Sequence, residues 1–216
     1  MRTDDLIVEL ARAAGPIRPL PRPSVRLTRW TAAVVLLTAA CVMAIGPRRD
    51  ALLAIHQSAF VGMAAVTLLT AILAAAAAFV LSVPGAERTP VPRMMPLAAA
   101  GIWVLALAVS VARGGDSVQR LLALPFHALC VIEIAGLGIV PGWALFVMLR
   151  RAAPLRRAWS AALATLAAVA LGAAATQFLC PIDDAAHQLV GHFLPVAVLA
   201  AWGAIAGRRS LDWVGK

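Results

Sequence analysis

The sequence predicts an all-α polytopic membrane protein, a bundle of about six transmembrane helices preceded by a short cytoplasmic amphipathic helix. Three observations predict it. Of 216 residues, 62% are hydrophobic and 13% charged, more apolar surface than a soluble domain of this length hides. The apolar residues gather in six runs, most of them near the ~20 residues that a helix needs to cross a ~30 Å hydrocarbon core. The charges sit in short clusters between those runs, and the basic ones are dense only in alternate clusters.

Thr3–Ala14 reads as a short amphipathic helix. Thr3 or Asp4 can cap it, Asp4 and Asp5 suit the positive end of its dipole, and Arg12 suits the other end. Leu6, Leu10 and Ala13 fall on one face, with Ile7 and Ala14 beside them, and Gly15-Pro16 stops the helix. A helix of about a dozen residues is marginal alone in water. Something must cover Leu6, Ile7 and Leu10, either the membrane surface or a protein partner that the helix folds onto. Pro16, Pro19, Pro21 and Pro23 then favour a stiff, extended spacer. Residues 1–29 accordingly read as a cytoplasmic partner-binding segment, 30–207 as the membrane domain and 208–216 as a cytoplasmic tail.

The runs themselves are Trp30–Ile45, Phe60–Val83, Met94–Val111, Leu124–Leu149, Trp159–Leu179 and Ala186–Ala206. Irregular backbone is not tolerated in lipid, so each should be a helix. The first is short and should extend over Leu27 and Thr28, with Arg29 snorkelling. Gly46-Pro47, Pro84-Gly85, Pro90, Pro92, Gly114-Gly115 and Pro181 break the connections. Small residues crowd the runs at Ala74–Ala78, Ala98–Gly101, Ala161–Ala175 and Ala200–Ala206, which permits close helix contact. There is no tyrosine, so tryptophan must supply any aromatic belt.

With the N-terminus placed inside, the inside segments hold 15 of the 19 basic residues. Only Arg48, Arg49, Arg113 and Arg120 fall outside. This asymmetry puts both ends in the cytoplasm. It also accounts for the net charge of +9 without nucleic acid, since basic loops are held by anionic lipid heads. Asp4, Asp5 and Glu9 make the stretch before the first run a poor signal-peptide start. Ala39-Ala40-Cys41 resembles a lipoprotein cleavage box only faintly, because Thr38 stands where a large aliphatic residue belongs.

The reactive side chains gather at the outer face. His127, Cys130 and Glu133 share one side of the fourth run near its outer end, and the fifth run ends at Cys180. Pro181-Ile182-Asp183-Asp184 leads into the sixth run, which carries His187 and His192. Cys130 and Cys180 therefore belong near one leaflet, and Cys41 lies within the first run. Thiolates with imidazoles (Cys130, Cys180, His127 and His187) suit a thiophilic metal; two thiols alone suit a disulfide in an oxidising compartment, or simple packing. No CxxC pair occurs to suggest a zinc ribbon or thioredoxin-type site. Glu133 should lie roughly 12 Å below the start of its helix, where a carboxylate needs a proton or a partner such as His127 or His192.

The opening Thr3-Asp4-Asp5-Leu6-Ile7, with Leu10 and then Pro16-Ile17-Arg18-Pro19-Leu20, resembles the N-terminus of the NrsF (negative regulator of sigma F) family. So do the six runs, His127-x-x-Cys130, and Cys180-Pro181 with its nearby acids. The resemblance implies a six-span anti-sigma factor of proteobacteria, with an extracytoplasmic-function (ECF) sigma factor as its cytoplasmic partner and no direct contact to nucleic acid. It implies that Asp4, Leu6, Ile7 and Leu10 bind that partner. It also implies that Cys130 and Cys180 sense heavy-metal or oxidative stress, with no resident cofactor beyond a heavy-metal ion as signal. Gly136, Gly138, Pro141 and Gly142 would be hinges in the fourth helix. Two other readings stay open, a small proton-coupled transporter using Glu133 and an outer-face thiol redox protein or haem carrier using His127, His187 and His192. No nucleophile, base and orienting group stand together as a hydrolase requires, which argues against hydrolysis; the resemblance implies a regulator and not an enzyme.

Overall fold

The computed structural model describes residues 2–14, 19–114, 128–152 and 154–210. Pro16, Ile17 and Arg18, Arg120, the stretch from Leu124 to His127 and the tail beyond Ser210 lie outside them. Among the described residues every regular element is helical. In chain order these are α1 (Thr3–Ala13), α2 (Pro23–Ile45), the short α3 (Ala51–Ala54), α4 (Ser58–Val80), a single 3-10 turn (Ala86–Arg88), α5 (Val91–Arg113), α6 (Ala128–Arg150) and α7 (Arg157–Thr176). The last helix comes in three pieces: α8 (Ala185–His187), a π-helical segment (Gln188–Phe193) and α9 (Leu194–Ser210). Six helices are long and apolar enough to cross a bilayer: α2, α4, α5, α6, α7 and the composite Ala185–Gly207.

Helix α1 begins at Thr3 with Arg2 as its flanking residue, so neither Thr3 nor Asp4 is the cap; the Asp5 carboxylate accepts from the Arg2 N–H at 3.4 Å. It buries none of its residues, and Leu6, Ile7, Val8 and Leu10 are all exposed.

Helix α2 starts at Pro23, seven residues before the Trp30 expected from hydropathy. Proline fits the first turn of a helix, where its missing N–H is not needed. One turn on, Arg26 finds partners that let it enter the bundle. Its guanidinium donates to Ser82 Oγ at 3.0 Å and to the Met148 carbonyl at 2.5 Å, and lies 4.7 Å from the Phe79 ring centre. A residue expected in the spacer thus ties α2 to the ends of α4 and α6. Helix α4 stops at Val80, not Val83, and the chain turns through Gly85 at φ +91°.

Helix α7 is the centre. In its most apolar window 78% is buried, against 17–44% for the other spans, and it packs against α4, α6 and α9. Alanine and glycine make that possible. A Cβ on Gly172 would run into the Ile134 carbonyl of α6, and Gly138 and Gly142 of α6 lie against Ala168. From the other side Gly203 and Gly207 of α9, four residues apart, meet Thr165 and Ala161. This is the small-residue spacing that lets membrane helices approach backbone to backbone. Helix α6 consequently runs unbroken through Gly136–Gly142, where hinges were expected; Pro141 is buried inside it, and its carbonyl accepts Trp30 Nε1–H at 3.0 Å. Trp103 is buried as well, edge-on to Phe193 at 5.1 Å. Two of the six tryptophans therefore serve the core and not an aromatic belt.

Leucine at Gly203 or Gly207 should wedge α9 off α7, and overpacking of this kind typically destabilises by roughly 1–3 kcal/mol. Gly62, with open space around its Cα, should accept leucine without loss. Thermal unfolding of the purified variants in detergent checks the contrast, and equal midpoints at all three positions would contradict this packing.

Candidate functional site: a thiol–imidazole cluster at one end of the bundle

One end of the bundle is formed by the connection from Gly46 to Gln57, the start of α6, and the segment that leaves α7 for α8. Cys130 stands in the first turn of α6. Cys180 follows α7, its N–H donating to the Thr176 carbonyl at 2.7 Å. Pro181 then prevents the helix from continuing. Asp184 starts α8, its carboxylate accepting the His187 N–H at 3.0 Å, which is how an N-cap satisfies a helix's free donors.

These elements converge on a compact cluster. Cys130 Sγ lies 3.7 Å from Cys180 Sγ and 3.6 Å from His187 Nε2; Cys180 Sγ lies 3.4 Å from the same nitrogen. The His192 ring stands edge-on to His187 with centres 5.4 Å apart. One ligand atom from each of the four residues falls within 4.8 Å of every other, and all four residues are buried. Both thiols are free. Neither ring nitrogen of His192 has a hydrogen-bond partner among the described residues, although the residue is 1% exposed.

The π-helical segment places His192. It stands five positions after His187, a spacing that turns an α-helix by about 140° and puts the two on different faces. In a π turn the bonds run from i to i+5, so residues five apart stack along one side. Gly191 gives the His187 ring its room, since a Cβ there would sit 3.2 Å from the imidazole.

Beside the cluster lies a charged clamp. Arg48 is buried, and its guanidinium donates to Asp50 (2.7 Å to each oxygen), to Asp183 (2.6 Å to each oxygen) and to the Cys180 carbonyl (3.1 Å). Its backbone N–H donates to the Phe178 carbonyl at 2.8 Å. Phe60 and Phe178 meet edge-on beneath it at 5.3 Å. Hydrogen bonding to Asp50 and Asp183 raises the Arg48 pKa above its ordinary value, and the bond to Arg48 holds the Asp50 carboxyl below its own. The cysteine-bearing segment is thereby fixed to the connection between α2 and α4.

The cluster therefore unites Cys130 and Cys180 with His187 and adds His192. His127 lies outside the described residues. Glu133 is half-buried one turn along α6 from Cys130 and is not in the cluster. Among the described residues it makes no hydrogen bond to His192. Cys41 is half-buried in α2, apart from the other thiols. Arg48 carried a signal in the sequence that went unread: an arginine on the arginine-poor side, two residues from Asp50 and facing a connection that contains Asp183.

No curated protein and no solved structure matches the chain. Residues 10–213 match the family described as negative regulator of sigma F. That match spans nearly the whole length, all six membrane helices and both cysteines of the cluster, and it shows that the chain belongs to the NrsF family of sigma-factor regulators.

Proposed function

We propose that the protein is a membrane-bound anti-sigma factor that holds an ECF sigma factor at the bacterial inner membrane and releases it when metal or oxidant acts on Cys130 and Cys180. Helix α1 is the observation that carries this reading. It presents Leu6, Ile7 and Leu10 with none of them covered by the bundle. A helix this short needs a partner to persist, and a family of negative regulators of sigma factor supplies the kind of partner. Asp4 and the apolar residues of α1 are the contact surface. The arginine asymmetry favours α1 and the C-terminal end of α9 in the cytoplasm, and the thiol cluster on the far side.

The proximity of the two thiols supports the sensing half. A ligand that binds one arrangement of α6, α7 and α8 better than another shifts the balance between them. Serine at both Cys130 and Cys180 should leave sigma capture intact and abolish induction of sigma-dependent genes by cadmium or oxidant. Transcript measurement in cells carrying that double variant is the test, and an unchanged response would reject sensing at these thiols. A pull-down in which a chain lacking residues 2–20 captures the sigma factor as well as the full chain does would reject the binding site.

A further inference from the structure

We propose that Cys130, Cys180, His187 and His192 form one buried tetrahedral site for a thiophilic divalent cation of the zinc type, with His192 as its fourth ligand. The inference rests on the sensing reading of this cluster and gives it a ligand set, a coordination number and a charge.

Geometry carries it first. With zinc–sulfur bonds of ~2.3 Å and zinc–nitrogen bonds of ~2.05 Å, a regular tetrahedron has edges of about 3.8 Å between sulfurs and about 3.55 Å between sulfur and nitrogen. The corresponding separations here are 3.7 Å for the two sulfurs, and 3.6 and 3.4 Å from them to His187 Nε2. Three corners of the tetrahedron are already in place. The fourth falls to His192, whose nearer ring nitrogen is within 4.8 Å of the other ligand atoms. Closing it shortens the longest of those separations by at most roughly 1.5 Å.

His192 supplies the second, independent observation. A buried imidazole with no partner for either nitrogen is costly, and here the residue is 1% exposed. The π turn that brings it over His187 replaces a regular α-helical turn, and such segments are frequent at functional sites. Ligation of the unpartnered nitrogen accounts for both features.

Charge selects the ion. Two thiolates and two neutral imidazoles around a divalent cation sum to zero, which suits a site shut off from water. A monovalent soft ion would leave one uncompensated negative charge. On binding, the two thiol protons leave for solvent and two metal–sulfur and two metal–nitrogen bonds form, with no change of oxidation state.

X-ray absorption at the zinc edge of the full-length protein in nanodiscs, loaded with zinc chloride, tests the assignment without any mutation. A first shell of two sulfurs and two nitrogens, at one zinc per chain, is expected. A shell lacking either element, or no tight zinc, would overturn the proposal. With cobalt chloride as an optical probe, His192→Ala should weaken binding by at least the roughly 10–100-fold typical of losing an outer-shell partner. An unchanged cobalt spectrum and affinity in that variant would remove His192 from the site. The outcome separates from that of the sensing reading. If the double serine variant loses the stress response while the native chain binds no zinc, the thiols sense by another route and the metal site fails alone. If zinc binds with the expected shell while the double serine variant still responds, the site stands and the sensing reading fails.

Discussion

Aspartate at both Leu6 and Leu10 should release the sigma factor from the membrane and leave the protein inserted. In the free chain the two side chains are 39% and 60% exposed, so a partner that covers them removes most of that surface from water. Covering a leucine side chain is worth roughly 1.5–3 kcal/mol. The two together expose about one leucine's worth of surface, so losing both anchors weakens binding roughly ten- to a hundred-fold, and the new carboxylates oppose burial further. Insertion should not change, because α1 buries no residue against the six membrane helices. Capture of the sigma factor on immobilised, detergent-solubilised protein checks the first half, and membrane fractionation checks the second. Target genes should become constitutively active in cells. Undiminished capture by the double variant would place the contact elsewhere on the chain.

The other large effect should come from Arg48→Leu. The substitution leaves the Cys180 carbonyl without its donor, and an unsatisfied buried acceptor costs roughly 1–3 kcal/mol. It also leaves Asp50 and Asp183 facing each other with no cation between them. The segment from Phe178 to Asp184 then loses its attachment to the α2–α4 connection, and Cys180 loses its fixed place beside Cys130. Two readouts follow, a lower thermal midpoint and faster alkylation of Cys180 by a water-soluble maleimide. The pH dependence has a defined sign. The raised pKa of Arg48 keeps it charged throughout the working range, so that contribution does not vary there. The depressed pKa of Asp50 means that its share is complete above the ordinary carboxylate value near pH 3.9 and fades as pH falls through the lower folded value. The Arg48–Asp50 half of the clamp should therefore be insensitive to pH near neutrality and should loosen only in strong acid. An Arg48→Leu chain whose Cys180 reacts no faster than the native thiol would show that the clamp does not position the cysteine.

Much of the architecture was legible because the lipid core makes one demand, a long apolar helix, and hydropathy reports it directly. The six spans follow from that demand. Two of the departures from the sequence expectations have a common cause. Arg26 looked like a spacer residue because hydropathy scores a residue and not its partners; Ser82 and the Met148 carbonyl, far away in sequence, bring it into the helix. Gly138 and Gly142 looked like hinges because glycine loosens an isolated helix, whereas here both lie close against Ala168 of α7. At the site, the shared leaflet of Cys130 and Cys180 followed from topology, since alternate helix ends lie on one side, but their 3.7 Å approach is a fact of the packing. His192 did not follow. Its alignment with His187 depends on a change of helical pitch that regular periodicity treats as impossible. Arg48 was visible as a charge against the prevailing bias, but its bidentate grip on two carboxylates is a fact of three dimensions.

Helix α7 carries one more consequence, for how the chain enters the bilayer. Surrounded by protein on nearly every side, it presents little of itself to lipid, and its alanines gain only modestly from leaving water. Its mean hydropathy of 1.7 equals that of α2 and is below the 2.3, 2.0 and 1.9 of α4, α6 and the last span, which pack around it. Its place is secured by the grooves that α4, α6 and later α9 offer. Because α9 is last in chain order and supplies one of those grooves, the burial of α7 is expected to be complete only once the final helix is in place.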